Sequence, residues 1–228
     1  MSMADPRIYV ALDLPSVEEA RAMVDALGDS VSSYKIGLQL LPVGGGELAR
    51  ELAGRGHSVF ADFKLHDIGA TVEKATRSIT TLGVDLLTVH AHPDVMEAAA
   101  RGAEGSSLRV LGVTVLTSLD EGSLRALGYG YSAEELVRRR TDQAVAAGID
   151  GVVSSPLEAR MVSERTPEGF LVVTPGVRPE GSDRGDQKRI ATPRDAFAAG
   201  ATHLVVGRPI TQAPDPRAAA EAILDSLA

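Results

Sequence analysis

The sequence predicts a single α/β domain, a (β/α)8 TIM barrel over residues 1–228, and three observations predict it. Short apolar runs alternate with Ala-, Leu- and Glu-rich helical stretches, giving eight strand–helix units along the chain. Most of these runs are continuously apolar rather than alternating, as a parallel sheet covered by helices requires. The residues that end the runs are polar or charged with a regularity that scattered surface charge would not produce. A doubly wound open sheet is the main rival architecture.

The first strand covers 8–14, and Ser16 behind it reads as an N-cap, with Glu18 and Glu19 suited to the positive end of a helix reaching Leu27. The second strand, 34–38, leads through Gly44-Gly45-Gly46 into a helix over 47–53. The third spans 59–64 with a helix over 71–82, the fourth 85–90 with a helix around 95–103, and the fifth 109–116. A longer connection then precedes a helix over 133–147. Strand six falls at 151–154 with a short helix over 157–162, and strand seven at 170–174. After a long loop, a helix over 194–199 leads to strand eight at 203–206, and a helix over 216–227 follows. Gly83, Gly148 and Gly200 stand where helices must stop before strands four, six and eight, as left-handed C-terminal caps do.

At 228 residues with 44% hydrophobic content, the chain suits one barrel, which typically needs about 250 residues. Its 23 Lys and Arg against 31 Asp and Glu give a net charge of −8 without a long basic run. That argues against nucleic acid as a partner, since neutralising phosphates needs clustered cations, and leaves room for a small anionic ligand. Cysteine is absent, which excludes disulfides, thiolate nucleophiles and cysteine-bound metals. The first residues lack the basic start and apolar core of a signal peptide, and no apolar run approaches the ~20 residues of a membrane span. The expectation is a soluble, cytoplasmic protein with no membrane partner.

The densest chemistry lies in 58–71, where an apolar strand gives way to Asp62, Lys64 and Asp67 within six residues. Alternation along a strand puts Asp62 and Lys64 on one face and Phe63 on the other, with Asp67 just past the strand. Charges converging there lose water unless paired, so either an ion pair closes the barrel top or the cluster is catalytic. Other strand ends add Asp13, Lys35, His90 and His92, Thr117 and Ser118, the run Thr174-Pro175-Gly176-Val177-Arg178, and Gly207-Arg208. A barrel places its active site at this rim, often with phosphate held after strands seven and eight. Gly207 allows close backbone approach and Arg208 a charge-assisted contact, an outer salt bridge being the alternative for Arg208. The polar loop over 178–190 is either solvated surface or a lid in which Gln187 donates to the phosphate. His90 and His92 alternate and could both face the interior, but the interleaved lysines repel a divalent cation, which favours packed or hydrogen-bonded rings. His57, His66 and His203 have no evident partner, and no serine nucleophile elbow or dinucleotide fingerprint is present.

Over nearly its whole length the sequence resembles the orotidine 5′-monophosphate decarboxylase family. The resemblance rests on Ala11-Leu12-Asp13, Tyr34-Lys35-Ile36-Gly37, and Asp62-Phe63-Lys64-Leu65-His66-Asp67-Ile68 with Thr71. It continues in Leu116-Thr117-Ser118, Thr174-Pro175-Gly176-Val177-Arg178-Pro179, Gly185-Asp186-Gln187-Lys188-Arg189 and Val206-Gly207-Arg208-Pro209-Ile210. Gly69-Ala70 departs from the Pro-x of many members, a change that alters a helix start and touches no charged group. The Asp-x-Lys-x-x-Asp pattern also occurs in sugar-phosphate relatives of the same barrel superfamily; Lys35 and the two later loops make the set specific.

The resemblance implies decarboxylation of orotidine 5′-monophosphate to UMP in pyrimidine synthesis, with no metal and no cofactor. It implies that Lys64 protonates C6 as CO2 leaves, that Asp62 sits beside the substrate carboxylate, and that Lys35 and Asp67 complete an alternating charge array. Asp13 and Lys35 would hold ribose hydroxyls, Thr117 would lie near the base, and Arg178, Gln187, Gly207 and Arg208 would serve the phosphate and lid. A homodimer is implied, with Asp67 and Thr71 reaching the partner's site and Ile68 among the substrate contacts. Two other functions remain open: a metal-dependent sugar-phosphate lyase, for which an acidic residue would be expected in place of Lys35, and a non-catalytic nucleotide-binding barrel.

Overall fold

The structure is a computed structural model that describes residues 4–178 and 191–227. Eight parallel strands close into a barrel in chain order: β1 Ile8–Ala11, β2 Ser33–Gly37, β3 Ser58–Leu65, β4 Leu86–His90, β5 Arg109–Val113, β6 Gly151–Val153, β7 Leu171–Thr174 and β8 His203–Val206. β8 returns to pair with β1. Helices α1 Val17–Leu27, α2 Gly45–Gly54, α3 Gly69–Thr80, α4 Pro93–Ala103, α5 Glu121–Ala126, α6 Ala133–Ala146, α7 Ala159–Ser163, α8 Pro193–Ala198, α9 Arg208–Thr211 and α10 Pro216–Asp225 connect and follow them. The architecture is the expected (β/α)8 barrel.

The strands read as continuous apolar runs because both of their faces are dry. Inward residues such as Tyr9, Phe60, Leu86, Leu111 and Leu171 fill the barrel, while outward Val10, Ile36, Leu87, Val110 and Val152 pack under the helices. Each fully buried side chain of this size contributes about 1.5–3 kcal/mol of transfer free energy. Local signals set the helix ends. The Ser16 hydroxyl accepts from the Glu19 N–H at 3.2 Å, and Ser132 with Glu135 forms a reciprocal capping box at the start of α6. Gly148 and Gly200, just beyond α6 and α8, have φ of 70° and 97°, so the helices stop where a left-handed residue turns the chain into the next strand.

The differences from the sequence reading lie at the rim that carries the polar residues. β1 ends at Ala11 and β5 at Val113, short of the 8–14 and 109–116 expected. One further ladder bond follows each, Leu12 N–H to Lys35 O and Thr114 N–H to Val153 O, before the chain leaves the sheet. α3 begins at Gly69 rather than near Thr71. The long β5–α6 connection contains α5, whose N-cap Asp120 accepts from the Ser123 N–H, and α9 follows directly on β8. No helix among the described residues is long and apolar enough to cross a membrane.

Candidate active site

At the carboxyl ends of the strands the barrel opens into a cavity of about 620 Å³. Inward apolar residues (Ala11, Phe60, Val113, Val153, Val205) line its deeper part, continuing the layers of the barrel interior. Charge enters from three adjacent strands. Lys35 is nearly buried, and its Nζ lies 3.1 Å from Asp13 Oδ1 and 3.2 Å from Asp62 Oδ2. Lys64 Nζ donates to the other Asp62 oxygen, Oδ1, at 2.8 Å. The four side chains therefore run Asp13, Lys35, Asp62, Lys64 in alternating sign along one wall.

Alternation is what keeps such a row charged. Burial opposes the charge on Asp62, yet Lys35 and Lys64 outweigh it and hold the carboxyl below the usual carboxylate range. Burial likewise opposes the Lys35 ammonium, and Asp62 and Asp13 together raise it above its ordinary value. Lys64 stands at the open end of the row, its side chain 26% exposed, with an ammonium directed by one carboxylate and otherwise facing the cavity. Such a group can meet a developing negative charge and release a proton.

The backbone beneath Lys64 is unusual. Its φ is +49°, the one positive value at a non-glycine position among the described residues, and the β3–β4 register shifts between Ala61 and Leu65. A left-handed lysine costs of order 1 kcal/mol or more, and such strain persists only where neighbours over-determine it. Thr88 of β4 is that neighbour. Its buried hydroxyl accepts from the Lys64 N–H at 3.0 Å and donates to Asp62 Oδ1 at 2.9 Å, so one atom fixes both the bulged backbone and the carboxylate. Thr88 was not singled out from the sequence, where it reads as one more β-branched residue in Leu86-Leu87-Thr88-Val89-His90.

The remaining expected residues divide by position. Thr117, Arg178, Gly207 and Arg208 line the same cavity as the charge row. Arg178 is buried, with Nη1 donating to the Val177 carbonyl at 2.9 Å, and Gly207 is the N-cap of α9. Asp67, Ile68 and Thr71 are exposed and do not line this chain's cavity. Asp67 Oδ1 accepts from the Ile68 N–H, and Ile68 is 72% exposed, high for a large apolar side chain. Gln187, with the segment Gly185 to Arg189, lies outside the described residues. His66 stacks on His92 with centroids 4.6 Å apart and lies 5.2 Å from His90. Burial first, then neighbouring cationic groups, lower the basicity of His90 and His92. Among the described residues no three His, Asp or Glu side chains converge as a metal ion would need.

The family model described as "Orotidine 5′-phosphate decarboxylase / HUMPS family" matches residues 6–223. The chain is 59% identical over 225 residues to an orotidine 5′-phosphate decarboxylase of Caulobacter sp., covering 99% of this chain and 98% of that protein. It is 57% identical over 229 residues to the enzyme of the same name from Caulobacter vibrioides, again covering 99% and 98%. The crystal structure of orotidine 5′-phosphate decarboxylase from Lactobacillus acidophilus is similar at a TM-score of 0.86 and 35% identity, over 98% of this chain and 99% of that one.

Proposed function

The chain belongs to the orotidine 5′-phosphate decarboxylase / HUMPS family, and from that premise we propose that it converts orotidine 5′-monophosphate to UMP and CO2 without metal or cofactor. The observation that carries this reading is the alternating row ending in Lys64, 2.8 Å from Asp62 at the edge of a cavity that Arg178 and Arg208 also line. In the reaction the C6–carboxylate bond breaks and its electron pair stays on C6. With no electron sink in the pyrimidine, the protein must lower the barrier electrostatically and by position. The Lys64 ammonium faces the developing charge and passes its proton to C6 as CO2 leaves; solvent then reprotonates the amine.

Asp62 acts in two ways. Its carboxylate orients Lys64, and it stands where a substrate carboxylate would be repelled, by about 4 kcal/mol at ~4 Å and an effective dielectric of 20. That repulsion is relieved as CO2 departs, while attraction to Lys64 grows with the charge on C6, so stabilisation of the transition state by Lys64 carries the larger part. Asp13 and Lys35 take the ribose hydroxyls, Thr117 lies by the base, and Arg178, Gly207 and Arg208 take the phosphate, with Gln187 closing over it. Phosphate binding remote from C6 supplies energy that holds the substrate carboxylate against Asp62. Lys35 supports this reading over a metal-dependent sugar-phosphate reaction, because an ammonium between Asp13 and Asp62 occupies the place where a divalent cation would need an acidic ligand.

The active unit is a homodimer of single-domain chains in the cytoplasm. Asp67, Ile68 and Thr71, which are exposed and do not line their own cavity, complete the partner's site. The test is loss of ultraviolet absorbance as orotidine 5′-monophosphate becomes UMP, with EDTA present and nothing added. Steady conversion is expected. Tight UMP binding without conversion would replace this reading with a nucleotide sensor, and neither would point to the metal-dependent sugar-phosphate enzymes.

A further inference from the structure

Gly37 closes β2, and its Cα pairs with that of Asp62 across the ladder. Its backbone lies outside the left-handed region, so conformation does not demand glycine there. Space does. A Cβ at this position would stand 2.7 Å from Asp13 Oδ1 and 2.9 Å from Lys35 Nζ, both closer than real contacts allow. The third nearest heavy atom, at 3.8 Å, is again in the Asp13 side chain.

This crowding differs in kind from that at Gly151 and Gly45. A Cβ at Gly151 would strike the Leu171 carbonyl oxygen at 2.4 Å, and one at Gly45 the Leu40 carbonyl at 2.8 Å. At those positions backbone must move, and the fold resists. At Gly37 the obstructing atoms are the tips of two flexible side chains, which can swing aside without moving the barrel. Those tips are the first ion pair of the charge row, 3.1 Å apart.

We infer that Gly37 is a positioning residue of the reaction: its missing side chain is the space in which the Asp13 carboxylate and the Lys35 ammonium meet. The inference rests on the role proposed above for that row. A methyl group there drives Asp13 and Lys35 apart, loosens the hold of Lys35 on Asp62, and leaves Lys64 paired to a carboxylate no longer fixed from its other side. Strand glycines often mark such a close approach, here of side-chain charges and not of ligand or backbone.

The experiment compares Gly37→Ala with Gly54→Ala, a control in α2 whose added Cβ meets nothing within 4 Å. Gly54→Ala should keep kcat and KM. Gly37→Ala should melt within about 3 °C of the parent, as expected of a change under 1 kcal/mol, yet lose about 10²-fold in kcat/KM, the scale of a 1 Å misplacement. The double variant Asp13→Ala/Gly37→Ala should lose less than the product of the two single losses, because both act on one contact. A kcat/KM within threefold of the parent, a melt lowered by 10 °C, or losses that multiply would each overturn the inference. A crystal structure of Gly37→Ala gives a readout independent of turnover. Asp13 and Lys35 should be more than 4 Å apart on an unchanged Cα trace, and an intact 3.1 Å contact would overturn the inference whatever reaction the site performs. A parent inert toward orotidine 5′-monophosphate would instead overturn the reaction and leave that distance to be read.

Discussion

The two ends of the barrel both bury polar groups on the same strands and use them differently. At the amino end Ser58 donates to Asp85 Oδ2 at 2.9 Å, the Val59 N–H reaches the same oxygen at 2.8 Å, and Tyr9 is left to donate to Ser58 at 2.8 Å. One carboxylate is surrounded by neutral donors, and Tyr9 packs edge-on against Phe60. At the carboxyl end four charges alternate along the wall of a cavity over a backbone held at φ +49°. The amino end satisfies its groups with ordinary geometry and holds the fold together. The carboxyl end maintains strain and concentrated charge that folding alone does not need, and that asymmetry supports the proposal that the chemistry lies there.

Substitutions that discriminate the ends sharpen the contrast. The largest effect is expected from Asp62→Ala, which removes the carboxylate shared by Lys35 and Lys64. Turnover should fall below detection and the urea midpoint should drop by the equivalent of about 3 kcal/mol, the cost of stranding a buried charge. Arg208→Ala should leave the melt unchanged and lower kcat/KM about 10- to 100-fold, mainly through KM, as loss of a charge-assisted contact predicts. An unchanged KM and kcat would remove Arg208 from the phosphate site.

Thr88→Val and Ser58→Ala form a pair, each deleting a hydroxyl bound to an aspartate, buried at Thr88 and half-buried at Ser58. Both should cost about 1–2 kcal/mol in chemical denaturation. Only Thr88→Val should reduce kcat, by about tenfold, since it frees Lys64 and Asp62 together. Equal effects on kcat would erase the distinction between the ends.

The smallest effects concern pH. The folded Asp62 carboxyl is held below its unfolded value near 3.9, so its stabilising contribution is present above that value and fades as pH falls through the folded one. Lys35 is raised, so its contribution is complete below about 10.4 and is lost as pH rises through the folded value. Neither group changes charge between about pH 5 and 9, and a kcat/KM profile should show no limb from them in that range. At the amino end burial pushes His203 down to about 4, against about 6.5 when unfolded. The unfolded chain takes up this proton first, so stability should decline from about pH 6.5 to 4, and His203→Gln should flatten that part of the curve.

Much of this was legible in the chain. Continuous apolar runs announced a helix-covered parallel sheet, and the polar residues ending them announced the rim, because strand periodicity puts Asp62 and Lys64 on one face. What stayed hidden depends on pairing between strands. Thr88 matters only because a register shift brings its hydroxyl opposite the Lys64 N–H, and the left-handed turn at Lys64 has no signature in a run of ordinary strand formers. The role of Gly37 likewise appears only when Asp13 and Lys35 arrive from neighbouring strands at the same point. α9 was missed because Gly207-Arg208 reads as the end of strand eight, and four residues carry too little periodicity to show a helix.

The central claim is that the ammonium of Lys64, held by Asp62 and by no metal or cofactor, performs the proton transfer. The most direct test measures turnover of orotidine 5′-monophosphate in EDTA by the parent and by Lys64→Ala, alongside UMP affinity. Conversion by the parent, its loss in Lys64→Ala, and UMP binding retained by both are predicted. Conversion by Lys64→Ala within tenfold of the parent would contradict the claim.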